Sequence, residues 1–318
     1  MESSSKKIIA IVGPTASGKS DLAIALARKY DGEIISADSR QVYRGMDIGT
    51  GKVPRDFPVK SKTQNAKTKQ ETDAFFSEGI VHHLIDIADP KEDYNVAHFI
   101  HDAEEAIEDI RSRGKQPIIC GGTHFWIQAL LDDTGIPAVP PDPAFRARLA
   151  AHTPEQLFSL LEQKDPARAA SIDRHNPVRL IRALEIIAAL GAVPDTKYKI
   201  QDTRYKDSLI IALSPPKEIL HERITKRLEK RIAEGMIEEV EHLHTEGVSW
   251  ERLEAFGLEY RYIALFLQEK ITEAAMHEEL LHAIWHYAKR QLSWLRRWKR
   301  LGANIRWISD PKEAEEIF

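Results

Sequence analysis

The stretch "IIAIVGPTASGKSDLAIALARKY", Ile8 to Tyr30, decides the fold. Its apolar start, Ile8 to Val12, suits a short buried strand; a glycine turn follows, and the spacing predicts a helix to about Tyr30. Between them, "GPTASGKS" puts Gly13, Gly18, Lys19 and Ser20 at the fixed positions of a phosphate-binding loop. Glycines let backbone N–H groups turn inward around phosphate oxygens, and the helix N-terminus adds the positive end of its dipole. Lys19 supplies a point charge and the Ser20 hydroxyl can hold Mg²⁺. The whole loop, with Pro14, Thr15, Ala16 and Ser17 between those fixed positions, is a candidate polyphosphate site. It does not say which polyphosphate.

Working outward, "GEIISADS" is a second apolar run with a polar tip, suited to a parallel strand. "FIHDAEEAIEDIRSRGKQPIICGGTHFWIQALL" repeats the pattern: amphipathic helix, glycine stop at Gly114, buried strand, glycine turn, helix. "SLIIALSPPKEILHERITKRLEKRI" does so again, with Leu209 to Leu213 as the strand, and "IRWI" is a candidate last strand. Strands alternating with helices imply a doubly wound parallel sheet, with ligands at the carboxyl ends of its strands. Two regions break the pattern. Val53 to Gly79, containing "KSKTQNAKTKQETD", is polar and aperiodic and reads as a mobile surface insertion. The proline-rich "TGIPAVPPDPAFRARL" opens a helical insertion. The expected organisation is a first core segment 1–136, an inserted helical domain 137–206, and a second core segment 207–318 ending in basic helices.

The 318 residues leave room for one large domain or two unequal ones. A net charge of −4 argues neither for nor against nucleic acid, since a basic face can hide in a neutral total. The single cysteine, Cys120, excludes an internal disulfide framework and a cysteine-rich zinc module. No apolar run reaches the length of a membrane span, and "MESSSKK" lacks a signal-peptide core, so a cytoplasmic protein away from membranes is expected.

A P-loop ATPase usually completes its Mg²⁺ site with an acid at the end of a later strand. Here "QPIIC" runs into "GGTH", with no acid. Asp38, in "IISADSRQVYRGMDIGTGK", is the acid at a strand tip near the loop, and it could assist the metal or act as a general base. "GGTHFW" would present backbone amides and the Thr123 hydroxyl beside the phosphates, or be a plain strand-to-helix turn. His82 and His83, near Asp86, are expected to pack or cap and are assigned no metal. Farther on, seven Lys or Arg residues lie between Lys289 and Arg306, with Trp285, Trp294, Trp298 and Trp307 interleaved and no acid from Leu281 to Ser309. Charge for phosphates plus aromatic surface suits a structured RNA, although some of those rings belong to the core.

Together "GPTASGKS", "ISADSRQVYRGMDIGTGK", "HHLID", "GGT", "NPVRLIRALE", "LHERI" and "YAKRQLSWLRR" resemble the tRNA dimethylallyltransferase (tRNA isopentenyltransferase) family, in its order and over nearly the whole chain. The resemblance implies an α/β fold: a P-loop NTPase-like parallel sheet core, an inserted all-helical domain and a helical basic C-terminal region. It implies transfer of a dimethylallyl group from dimethylallyl diphosphate to N6 of the adenosine next to the anticodon, with Mg²⁺ as cofactor held by Ser20. Asp38 would then be the base, Ser39, Arg40 and Gln41 would lie beside the adenine, and Thr123 would hydrogen-bond the diphosphate. Arg223 would clamp that diphosphate, with Arg227 as its alternative. The adenine would flip out of its stack. Arg146, Arg179, Arg182, Lys289, Arg290 and Arg296 would contact the tRNA anticodon stem-loop, and the acting unit would be a monomer. The chain departs from the family at "GGTHFW", where "GGTGLY" is common, at "GLEY" (Gly257 to Tyr260) in place of a "GYKE"-like segment, and in the polar insertion near residues 60–75. Three rivals stay open: an ATP-dependent P-loop small-molecule kinase, an adenylate isopentenyltransferase acting on free AMP, and a non-catalytic RNA-binding protein.

Overall fold

The computed structural model describes residues 7–56, 62–64, 71–132, 136, 137, 139–194, 205 and 208–317. Met1–Asp133 with Ile200–Phe318 form one compact unit, and Thr134–Lys199 form a second. In chain order the first unit opens with β1 (Ile9–Val12), α1 (Lys19–Tyr30), β2 (Gly32–Ser36), β3 (Lys62–Gln64), β4 (Glu71–Asp73), β5 (Phe75–Ser77) and β6 (Ile80–His83). It continues through α2 (Val96–Ser112), β7 (Gln116–Cys120) and α3 (His124–Asp132). The second unit holds α4 (Pro143–Leu149), α5 (Pro154–Lys164), α6 (Pro166–Ala169) and α7 (Pro177–Leu190). The chain then returns to the first unit with β8 (Leu209–Leu213), α8 (Lys217–Ala233), α9 (Met236–Thr245), α10 (Trp250–Phe256), α11 (Leu258–Leu267), α12 (Glu273–Arg300) and β9 (Ile305–Ile308).

The main sheet runs in the order β5-β6-β2-β7-β1-β8-β9 and is parallel except for β5, an antiparallel edge. Alternation along the central strands feeds two apolar layers. Ile9, Ile11, Ile34 and Ile118 pack with α1, while Ala10, Val12, Ile35 and Ile119 share the opposite layer with residues of α2, α3, α8 and α12. Strands covered on both faces carry continuous apolar runs, which is why β1, β7 and β8 were legible as buried strands. Their carboxyl ends lie together at one edge of the sheet, and the phosphate loop follows β1 there.

The expected mobile insertion at 53–79 is corrected by the structure where it is described. Lys62–Gln64 pairs with Glu71–Asp73, and Phe75–Ser77 joins the main sheet against β6, with Phe75 buried. Glu78 and Gly79 both have positive φ, 51° and 77°, which suits a tight two-residue hairpin. Residues 57–61 and 65–70 of that segment lie outside the described residues.

At the start of β2, away from the phosphate loop, the buried carboxylate of Glu33 accepts from Arg113 and meets His83 Nε2 at 2.7 Å and Lys115 Nζ at 3.0 Å. Burial alone would raise its pKa; the bonds from Arg113, His83 and Lys115 overcome this and hold it well below the carboxylate range. His83 is thus a partner for Glu33, while His82 is buried with its ring edge-on to Phe75. Because the folded pKa is depressed, the stabilisation is complete above the unfolded value of about 4.3 and is lost as pH falls below it. Glu33→Gln is expected to lower unfolding free energy by roughly 3 kcal/mol at neutral pH, read by urea denaturation. It should also flatten the acid limb of stability against pH.

In the second unit, prolines open helices: Pro143, Pro154 and Pro177 each follow a capping Asp142, Thr153 or Asn176. Leu157, Leu161, Leu180 and Leu184 form its small core. Glu185, 3% exposed, is held by Arg146 at 2.9 Å, by the Asp142 N–H and by Arg182.

Candidate active site

The phosphate loop lies between the ends of β1 and α1. Gly18 caps α1 without a side-chain bond, which leaves the first-turn N–H groups facing the loop cavity. The next two strands in the sheet deliver the other functional groups. Beyond β2, Asp38 Oδ1 accepts from Arg40 N at 3.0 Å. Beyond β7, Gly121 passes so close to Ala37 that a Cβ there would collide with the Ala37 carbonyl. Thr123 N–H donates to that same carbonyl at 3.1 Å, and Thr123 Oγ1 accepts from Ser39 N at 3.0 Å. The "ADS" and "GGT" segments are thereby laced together, and both face the loop. A Cβ at Gly122 would sit 3.7 Å from Asp38 Oδ2 and 3.9 Å from Lys19 Cε, so acid and lysine converge across that glycine.

A cavity of about 210 Å³ opens beside them. Thr15, Asp38, Ser39 and Arg40 form its polar wall, and Phe256, Leu258, Ile284 and Tyr287 are among its apolar lining. Its third side is a turn at Gly49 and Thr50, which Glu239 fixes by accepting from Asp47 N, Ile48 N and Gly49 N at 2.6–3.0 Å and from Tyr260 OH at 2.8 Å. The "GLEY" departure is part of this cavity: Leu258, Glu259 and Tyr260 line it, and Glu259 meets Arg231 at 3.3 Å. A larger depression of about 470 Å³ lies at the far sheet edge, against β9, away from the phosphate loop.

Positive charge dominates the centre. Arg223, Arg227 and Arg231 recur at four-residue spacing on α8. Arg223 donates to Ser17 O at 3.3 Å from an exposed position, Arg227 donates to the Thr15 hydroxyl, and Arg231 donates to Gly49 O at 3.2 Å. Burial, reinforced by Arg231, pushes the Arg227 guanidinium down to about 9. Burial likewise lowers Lys19, with Arg227 and Arg231 adding to it and Cys120 and Asp38 opposing it. Glu259 is raised by burial, which weakens it as a counter-charge. This excess of cations, with Arg231 buried and Lys19 and Arg227 half-buried, is what a multiply charged anion would neutralise.

The expected site residues divide by position. Asp38, Ser39, Arg40, Thr123 and the loop from Gly13 to Ser20 come together. Gln41 does not line the cavity: its amide meets Ser36 Oγ at 3.1 Å and the carbonyls of Thr50 and Gly51. On α12, Lys289, Arg290, Arg296 and Arg297 are exposed on the outer face. The tryptophans of that helix serve packing instead: Trp298 is buried, Trp294 Nε1 donates to Gln128 at 2.9 Å, and Trp298 Nε1 donates to Asp132 at 2.7 Å. Arg179 is exposed on α7, whereas Arg146 and Arg182 are engaged by Glu185. Arg231, Glu239, Glu259 and Gln291 were missed from sequence; the arginine spacing on α8 was the one available signal.

A family model described as IPP transferase matches residues 41–298. A "tRNA dimethylallyltransferase 1" of Hahella chejuensis is 38% identical over 300 residues, covering 94% of this chain and 91% of that one. The crystal structure of a full-length tRNA isopentenylpyrophosphate transferase from Bacillus halodurans aligns with a TM-score of 0.66 at 33% identity, over 98% of this chain and 94% of that chain. A eukaryotic dimethylallyltransferase, solved in snapshots "acting on tRNA", aligns with a TM-score of 0.69 at 28% identity, over 92% of this chain and 70% of that one. The similarity runs through the sheet, the helical unit and α12 alike, and the chain belongs to the IPP transferase family.

Proposed function

We propose that the protein transfers a dimethylallyl group from dimethylallyl diphosphate to N6 of the adenosine 3′-adjacent to the anticodon in tRNA, releasing diphosphate. The observation that carries this reading is the arrangement around Gly122: a carboxylate, Asp38, faces a cation-lined phosphate loop across one glycine. The diphosphate sits in the loop, where Lys19, the first-turn amides of α1, Arg223 and Arg227 stabilise charge on the leaving oxygens. The allylic C1–O bond breaks with its electron pair leaving on diphosphate, and the N6 lone pair forms the new C–N bond. Asp38 accepts the N6 proton as that bond forms, which makes a delocalised amine nucleophilic. Thr123, held by Ser39, hydrogen-bonds the diphosphate, and the apolar wall of Phe256, Leu258 and Ile284 excludes water from the allylic carbon.

The hydroxyl of Ser20 and the diphosphate oxygens are hard oxygen donors, a set that suits Mg²⁺. Ser20 would hold the ion, which when bound neutralises charge on the departing diphosphate. Arg146, Arg179 and Arg182 of the helical unit and Lys289, Arg290 and Arg296 of α12 serve the anticodon stem-loop. In this reading the acting unit is a monomer. Among the described residues no helix is long and apolar enough to cross a membrane, and a tRNA substrate fits a cytoplasmic location.

The test is incubation with labelled dimethylallyl diphosphate, Mg²⁺ and unmodified tRNA, followed by nucleoside analysis. N6-dimethylallyladenosine at the anticodon-adjacent position is expected. ATP-dependent phosphorylation of a small metabolite without prenyl transfer would overturn the reading. The outer face of α12 gives a separate prediction: reversing both Arg296 and Arg297 to Glu should weaken tRNA binding at 50 mM salt by about tenfold or more, with a shallower salt slope. Equal affinities for both proteins across a salt titration would remove α12 from the RNA surface.

A further inference from the structure

The inner face of α12 makes contacts that RNA binding does not require. Gln291, 5% exposed, is the buried polar residue of that helix. Its Oε1 accepts from Thr15 N at 2.8 Å and its Nε2 donates to Gly122 O at 2.9 Å. One amide therefore spans the phosphate loop and the "GGT" turn. His124 makes the same connection from the other side. Its Nδ1 lies 3.2 Å from the backbone oxygen of Gln291, and its Nε2 lies 3.3 Å from Gly13 N. Burial, with Lys19 nearby, drives the His124 pKa down to about 3, so the ring is neutral at physiological pH. A neutral ring with its proton on Nδ1 donates to Gln291 O and accepts from Gly13 N–H, while Nε2 also lies 3.2 Å from Gly13 O, to which the other tautomer would donate.

The alternative, that Gln291 is only a satisfied core polar group, does not account for where its bonds go. It joins two segments that are 107 residues apart in sequence (15 and 122) and follow different strands of the sheet, β1 and β7. Both carry groups that would touch the diphosphate. A Cβ at Gly122 would stand 2.8 Å from Gln291 Nε2, so the glycine that separates Asp38 from Lys19 is also the one the amide presses against.

We infer that Gln291 is a positioning residue which sets the spacing between the phosphate loop and the Asp38–Thr123 wall, acting through the Thr15 amide and the Gly122 carbonyl. The inference rests on the proposed reaction and deepens it: the basic helix α12 is part of the donor site as well as the RNA surface. Gln291→Glu is the sharpest probe, because it keeps the shape and the acceptor for Thr15 N–H but turns an oxygen toward the Gly122 carbonyl. Expected is a rise of about tenfold or more in the KM for dimethylallyl diphosphate, with a matching loss of inorganic pyrophosphate affinity by calorimetry. The KM for tRNA should stay at the wild-type value, since the outer face of α12 is untouched.

Gln291→Met, which removes both bonds while keeping an unbranched side chain of similar length, should show the same split with a larger donor effect. A folded Gln291→Glu protein with wild-type donor KM, kcat and pyrophosphate affinity would overturn the inference. So would equal losses for donor and tRNA in both variants, the signature of a merely structural role. Pyrophosphate binding requires no transfer chemistry. Absence of prenyl transfer by the wild-type protein would sink the functional reading, and the pyrophosphate comparison would still decide the role of Gln291.

Discussion

Asp38→Asn is expected to lower prenyl transfer to tRNA by about 10²–10⁴-fold, the range for a general base that moves a proton in the transition state. Asparagine keeps the shape of the side chain, and its oxygen can still accept from Arg40 N, a bond that Asp38 Oδ1 makes at 3.0 Å. The β2 tip should therefore stay in place, with Ser39 still bonded to Thr123. What is lost is the proton acceptor facing Lys19 across Gly122. Donor and tRNA affinities should remain within about threefold of wild type, so the defect falls on kcat. Single-turnover assays on an anticodon stem-loop, with pyrophosphate and RNA binding measured separately, check this. Full turnover by the variant would show that the proton leaves by another route. A defect confined to donor KM would make Asp38 a metal or diphosphate contact, the other role its place at a strand tip allows.

Asp38 was readable because the sheet fixes where strand ends go. Once "IIAIV" and "GEIIS" are parallel strands, an acid two residues beyond the second must lie near the loop following the first. The same logic located "GGT". The arginines of α8 were half legible: Arg223 and Arg227 were noticed, but the third member of the series, Arg231, was not, although spacing of four puts all three on one helix face. Gln291 and Glu239 carried no local signal. Each acts on backbone groups far along the chain, Thr15 and Asp47 to Gly49, and a side chain bonding distant main-chain atoms leaves no pattern in sequence. The short β5–β6 hairpin was hidden for a different reason: its three- and four-residue strands follow a long polar run that dominates any window average. The residues Phe75 to His83, "FFSEGIVHH", do hold the hairpin signal, two short runs around Glu78-Gly79.

Arg227→Met should shift stability and donor binding in opposite directions. The guanidinium sits beside Thr15, with Arg231 as a like-charged neighbour and Glu259 bonded to Arg231. Replacing a half-buried cation that faces a like charge by an apolar side chain of similar volume removes both its desolvation cost and the repulsion from Arg231. The ligand-free variant should therefore melt at the wild-type temperature or above it. The pH dependence follows from the depressed pKa of about 9 in the folded protein. Below that pH the folded state carries the costly charge in full. Between about 9 and the unfolded arginine value above 12, the unfolded chain binds more protons than the folded one, so this contribution makes stability rise with pH. Donor binding has the opposite sign, because a diphosphate needs the cation and its affinity should fall as pH passes about 9. At neutral pH the variant should lose about 10²–10³-fold in kcat/KM for dimethylallyl diphosphate, comparable to deleting one donor from a preorganised anion site. Arg223→Met should lose less, since Arg223 is exposed and reaches the loop through the Ser17 carbonyl. Thermal melts with and without pyrophosphate, alongside steady-state kinetics, separate the two effects. A variant that is both less stable and fully active would place Arg227 in the structural framework and leave the diphosphate to Lys19 and Arg223.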